Sequence, residues 1–194
     1  MNAEETPDFS VLAKDGSARL GKLSMDRHAL DTPTFMPVGT RGAVRTLTAL
    51  DLEELEADII LGNTYHLMLR PGVEVIQEKG GLHQFTGWNR LILTDSGGYQ
   101  IFSLEPDVDD KGATFKSTYD GSLHRLTPQD AVDIQCGLGA DIQMALDVCP
   151  PLPSEKSVIE TAVVRTKLWA EDARKHFLFK RDKEGFSNAQ FGIV

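Results

Sequence analysis

The stretch Leu91-Ile92-Leu93-Thr94-Asp95-Ser96-Gly97-Gly98 shows the pattern that decides the fold. A short apolar run without a charge comes first, and a carboxylate and two glycines follow it at once. The same order recurs twice, because Asn63 follows the mainly apolar segment 58–61 and Asp147 follows the mainly apolar segment 141–146. Short apolar strands of this kind are typical of a parallel sheet that is covered by helices.

Two further apolar runs bring the number of predicted parallel strands to five. They lie at residues 34–38 and 190–194. Cap residues and apolar spacing predict helices at 48–57, 73–79 and 127–138, and a long helix that Ser154 caps.

Two segments alternate like antiparallel strands instead. Residues 9–35 predict a small sheet with turn signals at Asp15-Gly16 and Gly21. Residues 113–126 predict an inserted hairpin that turns at Asp120-Gly121.

A (β/α)8 TIM barrel is preferred to a doubly wound sheet. Asn63, Asp95 and Asp147 each follow a different predicted strand, and barrel enzymes carry their catalytic residues at those strand ends. A complete barrel needs about 250 residues and eight strands. The 194 residues, with about five β/α units, are therefore interpreted as the N-terminal portion of a single barrel domain, unless the fold is a smaller one.

Composition narrows the class of protein. The sequence is 41% hydrophobic and 25% charged, as in an ordinary globular domain, and its net charge of −9 argues against a large basic RNA-binding face. Neither a signal peptide nor an apolar run of membrane-spanning length is present. Cys136 and Cys149 give no disulfide framework or metal motif, so a reducing cytoplasm is expected. The five histidines show no spacing typical of metal ligands.

Asp95 and the residues after it form the sharpest candidate site. Asp95 can act as a general acid or base, and Gly97 and Gly98 can let backbone N–H groups face a bound group. Tyr99 offers a ring on which a base could stack. A tight turn capped by Asp95 explains the same residues equally well.

A second carboxylate, Asp147, leaves its strand just before a Pro-Pro loop. Its two oxygens match the paired donors on the edge of guanine, although an aspartate that starts a loop is the simpler interpretation. Asn63 could position Asp95 or a substrate, or could merely stabilise a turn. Cys149 could line the same site.

Taken in order, the motifs resemble tRNA-guanine transglycosylases of the bacterial type, over nearly the whole chain. The resemblance rests on the following segments: TPTFMPVGT at 32–40, LGNTYHLMLRPG at 61–72, GGLH at 80–83, LTDSGGYQIF at 93–102 and FGIV at 191–194.

The resemblance implies a TIM barrel with an antiparallel N-terminal sheet, a hairpin insertion and a zinc subdomain near the C-terminus. It implies that Asp95 is the general acid/base, that residues Ser96, Gly97, Gly98 and Tyr99 form the base pocket and that Asp147 recognises the guanine-like edge. The implied reaction exchanges the wobble guanine of tRNA for a 7-deazaguanine through a covalent ribosyl-enzyme intermediate. Cys149 suggests 7-aminomethyl-7-deazaguanine as the incoming base, and the family commonly forms homodimers.

Two departures qualify the resemblance. The family's Gln-Gly-Gly, its nucleophilic aspartate and its structural Zn²⁺ ligands would lie beyond Val194, so no metal site is expected here and the chain alone is expected to be inactive. Val148 stands where many bacterial members have a glutamate, which bears on base selectivity. Two other interpretations remain open: a non-catalytic tRNA-binding or partner-subunit paralogue, and a small barrel glycosidase with Asp95 and Asp147 as its pair.

Overall fold

A computed structural model describes residues 7–193, which form a mixed α/β fold with one parallel and two antiparallel sheets. The strands are β1 (Asp8–Asp15), β2 (Ala18–Ser24), β3 (Ala29–Thr32), β4 (Ile59–Gly62), β5 (Leu91–Thr94), β6 (Asp107–Asp109), β7 (Gly112–Lys116), β8 (Leu123–Leu126), β9 (Ile142–Met144) and β10 (Ala189–Phe191). The helices are α1 (Ala49–Glu54), α2 (Thr64–Leu67), α3 (Val73–Glu78), α4 (Gly81–Thr86), α5 (Gly98–Phe102), α6 (Pro128–Leu138) and α7 (Lys156–Glu184), and a wide turn (Met68–Gly72) joins α2 to α3.

The parallel sheet carries β4, β5, β9 and β10 side by side in chain order. These strands confirm four of the five that the sequence predicts, except that Val194 lies outside the described residues. The fifth prediction, a strand at 34–38, is wrong in extent, because that segment makes only an isolated bridge from Val38 to Leu61. Pro37 has no N–H to donate to a ladder, so the segment cannot extend the pairing.

Both faces of the parallel sheet are buried, as the apolar strands predict. One face packs Leu91 and Leu93 against Leu23 and Leu30 of the antiparallel sheet β1–β3. The other face packs against the helices through a second group of buried side chains: Ile60, Ile76, Leu82, Trp88, Ile92 and Leu138.

The antiparallel predictions are confirmed, with two differences. Gly21 does not turn the chain but lies inside β2, where a Cβ would meet the ring of Phe9 at 2.5 Å. The predicted hairpin is β7–β8, and it gains a third strand, β6, which is only three residues long and mostly charged. A segment of three residues is too short to show an alternating pattern.

Cap residues predict the starts of α1 and α6 correctly, but not that of α7. Thr48 and Thr127 form capping boxes at the starts of α1 and α6. Ser154 is not the cap of α7, because its Oγ donates to the carbonyl of Pro151, and Glu155 precedes the helix. Within residues 7–193, no helix combines the length and the apolar character needed to cross a bilayer.

Side chains supplement the ladder between β5 and β9, which contains only two residue pairs. At the carboxyl end, the buried amide of Gln135 in α6 accepts from Thr94 Oγ1 at 2.9 Å and from the Met144 N–H at 3.0 Å, and donates to the Met144 carbonyl. At the amino end, Asp141 Oδ2 accepts from the Ile92 N–H at 2.8 Å. The two strands that carry the candidate carboxylates are thus joined through side chains as well as backbone.

Candidate active site

The three predicted strand-end residues lie at one edge of the parallel sheet and are linked by direct contacts. Asn63 follows β4, Asp95 follows β5 and Asp147 lies three residues beyond β9. The Asn63 side-chain amide donates to Asp95 Oδ2, and Ser96 Oγ donates to Asp147 Oδ1 at 3.4 Å. Residues that are far apart in sequence therefore meet at this edge of the sheet.

Asp95 is largely buried and held by three donors. Its Oδ1 accepts from the Thr64 N–H at 2.8 Å and the Gly97 N–H at 3.1 Å, while Asn63 donates to Oδ2. Burial raises the pKa of Asp95, and these bonds, together with the nearby His66, only partly oppose that rise. A buried carboxyl with a raised pKa is suited to give and take a proton near neutral pH.

The donors leave room for one more partner. An ionised carboxylate offers about four acceptor positions, and the protein fills two on Oδ1 and one on Oδ2. Oδ2 of Asp95 can therefore accept one further hydrogen bond.

Both glycines lie in close contact with their neighbours. Gly97 has a φ of +79° and faces the backbone of Tyr65, while a Cβ on Gly98 would stand 2.7 Å from Asp147 Oδ1. The expectation that their N–H groups face a bound group is not met, because Gly97 donates to Asp95 and Gly98 donates to Ser96 Oγ. The glycines therefore shape the pocket around its carboxylates.

Tyr99 lies in the first turn of α5 and is 72% exposed. An exposed ring beside a polar cleft offers its face to a planar ligand.

Asp147 also has a raised pKa. Burial is the main cause, and the charge of Asp95 adds to it, whereas the bond from Ser96 lowers the pKa. The chain leaves β9 in a fixed direction, because the Val148 N–H donates to Thr166 Oγ1 of α7 at 2.9 Å.

An apolar groove of about 800 Å³ opens beside Asp147, between the β9 exit and α7. Cys149 lines it, and burial and the charge of Asp147 raise the pKa of its thiol, so the group is a neutral thiol at neutral pH. Val148 lines it as well, which makes this wall apolar.

The sequence did not single out four neighbours of the site. Thr64 binds both the carboxylate and the carbonyl of Asp95, and its place directly after Asn63 was the available signal. A cluster of Arg41, Arg70 and Tyr119 lies nearby, but those residues are brought together only by the fold.

No metal centre is found within residues 7–193, where no three His, Cys, Asp or Glu side chains are grouped to hold an ion. Cys136 and Cys149 are free thiols.

Comparison with known proteins identifies the family of the chain. Residues 14–194 match the family described as queuine tRNA-ribosyltransferase. Three proteins named queuine tRNA-ribosyltransferase are similar to the chain. That of Rhizobium meliloti (strain 1021) is 48% identical over 192 residues, which are 98% of this chain and 50% of the relative. That of Prochlorococcus marinus is 51% identical over 191 residues (96% and 50%), and that of Thermotoga neapolitana is 48% identical over 191 residues (96% and 49%). The chain thus spans about half the length of these curated relatives, and it belongs to the queuine tRNA-ribosyltransferase family.

Proposed function

We propose that the protein that carries this chain is a tRNA-guanine transglycosylase. It exchanges guanine at the wobble position of tRNA for a 7-deazaguanine, in queuosine biosynthesis, through a covalent ribosyl-enzyme intermediate. One observation carries the proposal: two carboxylates with raised pKa values, Asp95 and Asp147, stand on neighbouring strand ends and are joined through Ser96.

Asp95 is proposed as the general acid/base. In the first half-reaction a nucleophilic carboxylate, expected outside these residues, forms a bond to the ribose C1′ while the bond from C1′ to guanine breaks. Asp95 gives a proton to the departing guanine and takes one from the incoming base as the bond to the enzyme is broken. Its raised pKa and its open acceptor position on Oδ2 support this exchange of roles.

Asp147 and Tyr99 are proposed to recognise the base. The Asp147 carboxylate would accept from the N1–H and the exocyclic amino group of guanine, while the exposed ring of Tyr99 stacks on the purine. Ser96 orients Asp147, and Gly97 and Gly98 leave the space. The target nucleotide must be turned out of its stack to reach this cleft.

Cys149 and Val148 bear on the incoming base. Cys149 is proposed to favour 7-aminomethyl-7-deazaguanine, as the bacterial type of pocket does. Val148 makes the neighbouring wall apolar, which removes a negative charge that would attract an aminomethyl group. We therefore expect the ratio of affinities for the aminomethyl base and guanine to be smaller than it would be with a glutamate at this position.

The wider architecture is also a proposal. Residues 1–194 would form the N-terminal part of one TIM-barrel domain, and the order of β4, β5, β9 and β10, which follows the chain without a reversal, supports a barrel wall over a doubly wound sheet. The structural Zn²⁺ would be held outside these residues, which is compatible with the lack of a grouped set of His, Cys, Asp or Glu side chains within residues 7–193. A homodimer in the cytoplasm is the expected state.

Labelled guanine tests the proposal. The full-length protein should incorporate it into an unmodified tRNA transcript with guanine at the wobble position, and the Asp95→Asn variant should not. The Asp172→Asn variant, which removes an exposed carboxylate of α7, is the matched control and should retain exchange. Binding of the transcript without exchange by the unaltered protein would instead favour the non-catalytic paralogue.

A further inference from the structure

A group of side chains beside Asp95 has no part in the chemistry above. We call it the arginine–tyrosine cluster: Arg41, Arg70, Tyr119 and His66. The guanidinium carbons of Arg41 and Arg70 lie over the Tyr119 ring, 5.6 and 4.6 Å from its centroid. The Tyr119 hydroxyl is 3.0 Å from His66 Nδ1.

Separate segments of the fold supply these residues. Arg41 follows the bridge at Val38, Arg70 lies in the wide turn after α2, and Tyr119 lies in the turn between β7 and β8. That turn is fixed to α2, because the Tyr65 hydroxyl is 3.0 Å from Thr118 Oγ1 and accepts from the Thr118 N–H at 3.1 Å. The inserted hairpin therefore holds an aromatic ring at the rim of the cleft.

The charge of the cluster is not balanced locally. Among residues 7–193, neither Arg41 nor Arg70 has an ion pair with a carboxylate, although the whole chain has a net charge of −9. Both arginines are exposed. Burial and Arg41 lower the pKa of His66, and the charge of Asp95 only partly opposes this, so the two guanidinium groups carry the charge at neutral pH. Two like charges beside one ring repel each other, and an anion between them would relieve that repulsion.

The cluster is close to the reacting centre. His66 follows Asn63 by three residues, and the Asn63 amide contacts the carboxylate of Asp95. A nucleotide whose base reaches Asp95 has its flanking phosphates at the rim of the same cleft. Guanidinium groups recognise phosphate through planar, paired hydrogen bonds.

We propose that the arginine–tyrosine cluster binds a backbone phosphate of tRNA beside the nucleotide whose base enters the pocket. This inference rests on the proposed function and adds a substrate contact to it. Tyr119 acts as a positioning residue that orders both arginines.

Salt dependence of tRNA binding is the test, because each phosphate contact contributes about 0.7 to the slope of log K against log salt for a single strand. The full-length protein and its Arg41→Gln/Arg70→Gln variant are titrated with an unmodified tRNA transcript between about 50 and 200 mM salt. The control is Arg19→Gln/Arg174→Gln, which removes the same charge. Arg174 also lies over a ring, that of Phe177, at 5.4 Å.

The magnitude of the slope should decrease by about 0.7 in the test variant for each phosphate contact that is lost. The unaltered protein should then lose about 2.6-fold more affinity over this salt range than the test variant. The control should keep the original slope, and all three proteins should bind free guanine equally. If guanine binding is also lost in the test variant, the single variants Arg41→Gln and Arg70→Gln decide: a reduced slope with guanine binding retained supports the site, and an unchanged slope overturns it.

An unchanged slope in the test variant overturns the phosphate site, while guanine exchange by the unaltered protein leaves the proposed function standing. Failure of the unaltered protein to bind the transcript or to exchange guanine overturns both.

Discussion

Gly98→Ala should separate base binding from stability. Gly98 opens α5 without a left-handed φ, so alanine is compatible with the backbone and gains at most about 1 kcal/mol of helix propensity. Its new Cβ would stand 2.7 Å from Asp147 Oδ1, and that oxygen must retreat by about 0.7 Å to reach the 3.4 Å of an ordinary contact.

A shift of that size lengthens a hydrogen bond of about 2.9 Å to about 3.6 Å, beyond useful reach. Loss of one charge-assisted bond to the base is worth about 1.5–3 kcal/mol. We therefore expect guanine to bind about 10- to 150-fold more weakly, with little change in the unfolding temperature. Calorimetric titration with guanine and thermal denaturation of the full-length protein measure the two effects.

Gly137→Ala is the matched control. It also places a methyl group on a helix, but that group meets Val73 Cγ1 at 2.5 Å and Gln77 Oε1 at 3.7 Å, and neither residue belongs to the candidate site. This control should lower the free energy of unfolding by about 1–3 kcal/mol and leave guanine affinity unchanged. If Gly98→Ala binds guanine as the unaltered protein does, Asp147 is not the group that holds the base edge.

The remaining predictions concern three carboxylates. Asp95→Asn should reduce guanine exchange by at least about 10²-fold in a labelled-guanine assay while cooperative unfolding persists; near-normal exchange would remove Asp95 from the acid/base role. Asp147→Ala should weaken guanine binding, and because the pKa of Asp147 is raised, the affinity of the unaltered protein should already decline above the ordinary aspartate value of 3.8 as the pH falls. Calorimetric titration over a pH series checks this, and a flat profile would contradict it. Asp141→Asn should destabilise the protein at neutral pH: burial opposes ionisation of Asp141, but its bonds to His83, the Ile92 amide and Arg27 outweigh that and lower its pKa. The stabilisation is present above the ordinary value and lost as pH falls below it, so unfolding curves of variant and unaltered protein should converge in acid.

Much of the fold could be predicted because its signals are local. Four apolar strands, each with no charge in its buried core, and the capping boxes at Thr48 and Thr127 depend on a few adjacent residues. The errors arose where local signals compete. Ser154 is a good cap residue, but its hydroxyl is taken by the carbonyl of Pro151. Gly21 looks like a turn, but it is a glycine because the ring of Phe9 covers it.

Only part of the candidate site could be predicted from the sequence. Asn63, Asp95 and Asp147 could be grouped because parallel strands place their carboxyl ends at one edge. The internal bonds of the glycine amides and the meeting of Arg41 with Tyr119 could not, since they depend on distances between segments that no periodic pattern records.

The amide of Gln135 bears on how the candidate site can change in evolution. The Gln135 side chain bridges the carboxyl ends of β5 and β9. The distance between Asp95 and Asp147 therefore depends on the position of α6, which packs against the sheet. If the two loops were grafted onto another scaffold, the carboxylates would be transferred but their spacing would not be maintained. Substitutions in the helix layer, which does not contact the ligand, would instead change the distance between the two carboxylates. Selection for a new base could therefore act on the helices first.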